Sequence, residues 1–548
     1  MPVITAVCRT SGKTFSISEA EQTYCLERKL PLPQQHPFER MKHIANWRNR
    51  FHLYNTTCAA SQKSILSCFP PEKGLVIYDS EVWNGDSWDA TSFGQDYDPS
   101  RPFFEQFGEL MKRTPLPNLN VSGVENSDYV NGAISVKNCY LTFSCFDCQD
   151  CLFCWVIGKS RNLIDCIHTY FSELCYSCMH VENCYNCRFV ESSNHCSDSS
   201  FLLNCQACKH CFGCVNLNNK EYCWYNEQLT KEEYEKRLAD LDLGTLPALA
   251  AARSQFQQFC NQFPIKYYAG KSIENSSGNH INNLKDSHND YYCSNDVDVE
   301  HSLILLNSKD CFGMISAKDG ELSYNCHSGI HYNCQYCSES GLVRNRNVMW
   351  SLYTNNSTYC FGCISIKNKQ YCILNKQYSA EEYFKLRDQI QQSMVANNEH
   401  EDFFPRHLSP FYYNESDALT YFPISQEQAE KEGFHWGNHT VESYVSDYTI
   451  PEHIKDVHDD ILQAVLLCQK SGKKYRITKQ ELEYYRTQQL PIPRISPLER
   501  IGFLASRLFI MEELHLAQCH QCQKQIETVY DTSKRTVLCE ECYVQAVY

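Results

Sequence analysis

No stretch of this chain approaches the roughly 18 consecutive apolar residues that a membrane-spanning helix needs, and the opening MPVITAVCRTSGK carries no apolar signal core. Neither membrane insertion nor export by the ordinary route is expected, and the expected location is the cytoplasm. Basic charge is also in short supply. Lys and Arg number 50 against 65 Asp and Glu, a net charge of −15, which argues against a surface that coats nucleic acid all over. The common signatures of enzyme chemistry are missing as well: there is no glycine-rich phosphate loop, no Gly-x-Ser-x-Gly elbow and no His-Glu-x-x-His helix. Asp86, Asp89, Asp96 and Asp98 gather near Trp83 and Trp88, but in a loop-like stretch where turn formation accounts for them. The expectation is a protein that is not an enzyme.

What the chain has in quantity is cysteine. It holds 34 in 548 residues, 16 of them between Cys139 and Cys223 and only four in the first 138. An apolar content of 43% with 21% charged residues marks a folded chain, and the length calls for three to five units rather than one. In a reducing compartment such cysteines read as metal ligands or small buried hydrophobes, with disulfides as the alternative.

The two ends are copies of one unit. Cys8, Ser11-Gly12-Lys13, Phe15, Ile17, Glu21, Leu30, Pro33, Pro37, Glu39 and Arg40 recur at identical spacing as Cys468, Ser471-Gly472-Lys473, Tyr475, Ile477, Glu481, Leu490, Pro493, Pro497, Glu499 and Arg500. Downstream, Cys58-x2-Ser61-x-Lys63-x-Ile65 corresponds to Cys519-x2-Cys522-x-Lys524-x-Ile526. The late copy then supplies Cys539 and Cys542, where the early one has Tyr78 and Glu81. Two Cys-x2-Cys turns facing each other across a short hairpin present four thiolates in a tetrahedron, so Cys519, Cys522, Cys539 and Cys542 are expected to hold one structural zinc with no position left open for a catalytic water. Cys8 with His36 and Glu39 is a weaker metal candidate, because His and Glu beside a proline serve equally as ordinary surface groups.

These motifs carry a resemblance. The Ser-Gly-Lys turns at 11–13 and 471–473, the Pro-x-x-Arg elements ending at Arg40 and Arg500, the stretch from Trp83 to Phe107, and the closing Cys539-Glu-Glu-Cys542-Tyr543 resemble uncharacterised zinc-ribbon-containing, cysteine-rich repeat proteins of small-genome, uncultivated bacteria. Fuller members look as though they carry Cys-Pro-x-Cys-Arg where this chain has His36-Pro37-Phe38-Glu39-Arg40. The resemblance implies no particular activity.

Between the ends lies a second duplication. Cys211-Phe-Gly-Cys214, Tyr222-Cys223, Asn226 and Glu232-Glu-Tyr234 recur as Cys360-Phe-Gly-Cys363, Tyr371-Cys372, Asn375 and Glu381-Glu-Tyr383. Cys178, Cys187, Cys196, Cys205, Cys214 and Cys223 repeat every nine residues, as do Cys166, Cys175 and Cys184. Short strands and turns at constant period predict a β-solenoid, and two nine-residue arms predict a coil of about 18 residues. Calcium is not implied, since Gly-Gly-x-Gly-x-Asp repeats are missing. The runs Cys145, Cys148, Cys151, Cys154 and Cys205, Cys208, Cys211, Cys214 resemble an iron–sulfur wrap, but without its closing Cys-Pro. Buried, unliganded cysteine ladders are the leading reading, with added zinc or iron–sulfur as alternatives. Thr230 with Glu233 and Ser379 with Glu382 form capping-box patterns, predicting helices that cap the solenoid ends.

The fold expected is mainly β with short helices: a duplicated cysteine-rich β-solenoid, or β-helix, flanked by zinc-ribbon-like terminal modules. Its divisions are a degenerate ribbon-like module at 1–118, a first solenoid block at 119–228, a helical cap and linker at 229–272, and a second block at 273–378. A further helical cap and linker at 379–460 and a second ribbon-like module at 461–548 complete the chain. Arg40, Lys42, Trp47, Arg48 and Arg50 mix basic and aromatic groups as nucleic-acid contact requires; the competing reading is an amphipathic helix with its arginines in water. The function expected is a non-enzymatic zinc-binding scaffold engaging a protein or ribonucleoprotein partner, with homo-oligomers possible. Direct RNA or DNA binding through the ribbon modules and thiolate metal storage or redox activity are the alternatives.

Overall fold

Between Asn131 and Trp224 the backbone turns a corner at every third residue. Ser144, Asp147 and Asp150, with φ of 49°, 51° and 54°, stand for a left-handed series that runs almost unbroken along the block. Each three-residue side sends one side chain inward, and four sides close a coil. Trp155 therefore pairs in parallel with Phe143 on one side and Ile167 on the other, each 12 positions away. This computed structural model describes residues 2–329, 331–339, 345–399, 402–438, 444–446, 448–509 and 511–547. The expectations for blocks 273–378 and 379–460 run in part through residues outside that set.

The β-solenoid expected from the cysteine periodicity is present, but its coil is 12 residues rather than about 18. The nine-residue spacing is three of the four sides: it relates an inward residue to its neighbour one corner short of a full coil. Cys175 Sγ–H thus donates to the carbonyl of Glu173 at 3.4 Å and of Cys184, nine residues on, at 3.7 Å. Cys166, Cys178 and Cys187 repeat this two-carbonyl pattern. Each four-cysteine run fills the inward positions of four successive sides, one full coil.

A coil this narrow accepts only small inward side chains. Its core joins the cysteines to Ala133, Val136, Val181, Val190 and Leu202. Where serine replaces cysteine it ties one coil to the next: Ser172 Oγ–H donates to the Tyr170 carbonyl and its oxygen accepts from Cys184 N–H. Left-handed corners cost non-glycine residues about 1–2 kcal/mol each, least for Asn and Asp. Ladders between coils offset that cost. Asn126, Asn138 and Asp150 form a chain of side-chain bonds at 2.7 and 2.9 Å, and Phe189 stacks on Phe201 with centroids 4.7 Å apart.

The second block obeys the same rule, with inward Ile281, Leu284, Cys293, Val299 and Leu305. Both blocks stop alike. Asn226 Oδ1 accepts from Val215 N–H and its Nδ2 donates to the Val215 carbonyl, while Asn375 does the same to Ile364. The amide side chain imitates one more strand. A short antiparallel pair and a capping-box helix follow each time, Lys231–Ala239 and Ala380–Ala396. Tyr234 and Tyr383 from these helices lie against the final rings Tyr222 and Tyr371, at centroid distances of 5.9 and 5.8 Å.

The chain forms two compact units, each drawn from separated segments: Met1–Leu119 with Lys266–Gly437 and Met511–Tyr530, and Asn120–Ile265 with Asn438–Ile510 and Asp531–Tyr548. In the first, the helix Glu19–Glu27 lies on the second solenoid, where Tyr24 O–H donates to the Leu322 carbonyl and Arg28 Nε to Asn333. In the second, the corresponding helix Lys479–Thr487 lies on the first solenoid, with Gln480 donating to the Asp150 carbonyl and Tyr484 against Tyr176. Residues 1–119 are thus folded with the second block and 438–510 with the first, while 511–530 belongs with the second.

Two inward positions of the second block carry carboxyls. Asp290 accepts from Ser302 N–H and Asp296 from Ser308 N–H, at 2.9 and 2.6 Å. Burial raises both, Asp296 to about 7. An unfolded aspartate titrates near 3.9, so between about pH 4 and 7 the folded state holds more protons and stability falls as pH rises. Asn345 already serves at an equivalent position, accepting from Ser357 N–H and donating to the Thr354 carbonyl. Asp296→Asn is therefore expected to stabilise the protein at pH 8 by roughly 1–3 kcal/mol and to flatten the decline from pH 5 to 8, as read from urea midpoints. A variant that keeps the parent's slope refutes this.

Candidate metal centre

Four hairpins in the chain share one turn. In each, a cysteine amide donates to a lysine carbonyl five residues on, and the residue four after the cysteine donates back to the cysteine carbonyl. The pairs are Cys8 with Lys13, Cys58 with Lys63, Cys468 with Lys473 and Cys519 with Lys524, all at 2.8–2.9 Å. The back-donating residue is left-handed in every case: Gly12 (φ 70°), Gln62 (60°), Gly472 (68°) and Gln523 (61°). Amides in such a turn point at the sulfur. Ser11 N–H and Ser61 N–H reach Cys8 and Cys58 Sγ at 3.4 Å, and Asp79 N–H also reaches Cys58 Sγ at 3.3 Å.

Among the described residues, only the last of these hairpins assembles a ligand set. Strands His515–Gln518 and Gln525–Thr528 present Cys519 and Cys522 at their turn. The strand Val537–Leu538 leads to Cys539, and Cys542 sits in the first turn of the helix Glu540–Val547. The four sulfurs all lie within 4.8 Å of one another. A regular tetrahedron of thiolates around zinc, with bonds of about 2.3 Å, has edges of about 3.8 Å, so the group needs little closure to grip an ion. Cys519, Cys539 and Cys542 are buried and Cys522 is exposed.

The early copy keeps the shape of this segment without its ligands. The hairpin Tyr54–Thr57 with Ser64–Ser67 is followed by the strand Ile77–Tyr78 and the helix Ser80–Asn84. Asp79 caps that helix by accepting from Glu81 N–H, and hydrogen bonds to the lone Cys58 sulfur stand where a metal would. At Cys468 burial raises the thiol, but hydrogen bonds from Ser471 and Ser496 outweigh it and hold the group near 7. Cys8, His36 and Glu39 do not converge. His36 Nδ1 accepts from Phe38 N–H as a helix cap, and Glu39 pairs with Lys42.

The basic stretch is internal, which corrects both the nucleic-acid expectation for it and the picture of arginines in water. Arg40 Nη1 donates to Glu21 at 2.6 Å and also meets Tyr324 Oη, with both partners of the pair buried. Lys42 is paired with Glu39 and Glu432, Arg48 with Glu339, and Arg50 with Asp417. Trp47 is 1% exposed and stacks on Phe404 at 4.6 Å. A guanidinium already bonded to a buried carboxylate offers nothing to a phosphate. Three of the partner carboxylates, Glu339, Asp417 and Glu432, lie hundreds of positions away in sequence, which is why the local composition misled.

The other copy builds the same pair: Arg500 meets Glu481 at 3.0 Å and, through Nε, both oxygens of Asp165. Glu21 with Arg40 and Glu481 with Arg500 thus explain two matched positions of the terminal repeat, a signal the sequence carried without showing that the residues touch. Glu21, Glu300 and His301 also bring three ligand atoms together. Glu21 is already committed to Arg40, whose charge would oppose a cation, and burial lowers His301 to about 3. Among the solenoid cysteines, burial pushes Cys145, Cys151, Cys166 and Cys178 well up, disfavouring the thiolate that a metal or a nucleophile needs, whereas at Cys334 hydrogen bonds from Cys337 and His331 outweigh burial and hold the thiol at about 5. No protein-family model matches this chain, and no curated protein matches it.

Proposed function

We propose that this protein is a non-enzymatic scaffold in which residues 519–542 form a zinc ribbon and the two solenoid blocks offer their ladders of outward side chains to a protein or ribonucleoprotein partner. The observation that carries this reading is the distribution of thiols. One set of four gathers with its sulfurs within 4.8 Å of one another, close enough for one tetrahedral ion, while solenoid thiols such as Cys166, Cys175 and Cys178 are spent on backbone carbonyls in a close-packed core. Storage of soft metals or redox cycling would need accessible, readily ionised sulfur, and burial works against both. Elemental analysis of the purified chain tests the proposal. One zinc and no iron per chain is expected; several metal ions per chain, or an iron chromophore, would overturn it in favour of a thiolate store or redox protein.

A further inference from the structure

The unit that contains the first solenoid encloses a cavity of about 730 Å³ between the solenoid's outer wall near Phe189 and Phe201, the helix Leu246–Cys260 and the helix Pro497–Leu508. Its size is that of a small-molecule site. Its lining is at odds with the rest of the molecule. In a chain of net charge −15, this one cavity is faced by five arginines, Arg253, Arg494, Arg500, Arg507 and Arg535, against two carboxylates, Asp165 and Glu191.

The arginines are not equally committed. Arg500 is held by Asp165 and Glu481, and Arg507 by Glu191 at 2.6 Å. Arg494 spends one nitrogen on the carbonyls of Ile450 and Pro451. Arg253 and Arg535 have no carboxylate partner among the described residues. The Arg253 guanidinium lies 4.7 Å from the Phe189 ring centroid, accessible to solvent in the cavity though protein surrounds it on most sides. Arg535 keeps a buried Nε with no hydrogen-bond acceptor. Burial, and the charge of Arg507 among its neighbours, lower Arg253 from the usual arginine range. Leaving the buried Arg535 Nε unpaired is costly, and like charges set around one space repel, so the arrangement favours an anion between them.

The remaining wall is flat and apolar. The half-buried rings of Phe189 and Phe256 face the cavity, backed by the buried Phe201, which stacks on Phe189 and meets Phe256 edge-on at 5.8 Å; Leu249 and Leu504 also line it. Guanidinium forks grip phosphate oxygens in pairs, and aromatic faces accept a stacked ring. We propose that this cavity binds an organic phosphate with a flat ring body, of the nucleotide class, its phosphates between Arg253 and Arg535 and its ring against the phenylalanine wall.

The site is independent of the scaffold reading; Arg535 comes from the segment 519–542 and depends on its fold, whereas Arg253 comes from the helix Leu246–Cys260. Calorimetric titration of the full chain with ADP and with pyrophosphate tests it, alongside Arg253→Met and Arg535→Met. Among the described residues Arg253 makes no hydrogen bond, so its variant is expected to keep the parent's circular dichroism and melting temperature. The expected result is saturable ADP binding, at least tenfold weaker in each variant, with pyrophosphate binding at least tenfold weaker than ADP. Three results would overturn the proposal: no ADP binding at millimolar concentration, ADP binding that neither substitution weakens, or pyrophosphate binding as tight as ADP. If Arg535→Met fails to fold, the Arg253→Met comparison and the ADP to pyrophosphate ratio decide.

Discussion

Serine in place of Cys539 is expected to abolish metal binding and to unfold the closing segment while leaving the solenoids intact. Structural zinc contributes an apparent 10–16 kcal/mol in small domains near neutral pH, far more than a short hairpin and one helix gain from packing. Among the described residues no other cysteine stands within ligand distance of Cys519, Cys522 and Cys542 to replace the lost thiolate. Metal content should fall from one equivalent to none, and limited proteolysis should begin to cut within residues 511–547. The matched controls are Cys8→Ser, Cys58→Ser and Cys468→Ser, which remove the cysteine from the other three turns of the same shape and should leave metal content unchanged. A Cys539→Ser protein that retains a full equivalent would show that the four sulfurs are not the ligand set.

Alanine in place of Arg40 or Arg500 should cost about 3–5 kcal/mol, because each removal strands a buried carboxylate. The greater loss is expected at Arg500, whose absence leaves Asp165 and Glu481 together in the same buried space. Burial already raises both carboxyls against the pull of the arginine. Without that pull they take up protons, so Arg500→Ala should be least stable at pH 8 and recover part of the loss at pH 5. Urea unfolding at the two pH values gives the comparison. Changing the whole cluster to apolar residues of similar volume should be far milder than changing the arginine alone. An Arg500→Ala protein as stable as the parent would remove the buried cluster from the account of how the terminal module is held.

Much of this organisation was legible because it is repeated. The capping boxes at Thr230 and Ser379 stand where their sequence placed them, and the matched Asn226 and Asn375 end the two blocks with the same backbone imitation. The cysteines at 519, 522, 539 and 542 lie together as their spacing requires. The coil length was misread because period nine is visible where cysteines occupy it, whereas the underlying period of three is shared with Ser160, Thr169, Ser172 and Val181, residues that look unrelated until they are counted as inward positions. The five residues from Arg40 to Arg50 were misplaced for a different reason. Charge pairing is set by the fold, and Glu339, Asp417 and Glu432 cannot be associated with that helix from its own neighbourhood.

The exchange of terminal modules between blocks governs how the chain can assemble as it is made. Glu21 must wait for Tyr324, 303 positions later, and Asp165 for Arg500, 335 positions later. When the first solenoid leaves the ribosome, the only terminal module then available is the one that belongs elsewhere. Contacts so distant in sequence close slowly, and surfaces awaiting them are open to wrong partners. A nascent chain of this kind gains from a chaperone, or from delayed docking of its first hundred residues, more than a protein whose neighbours in space are neighbours in order of synthesis.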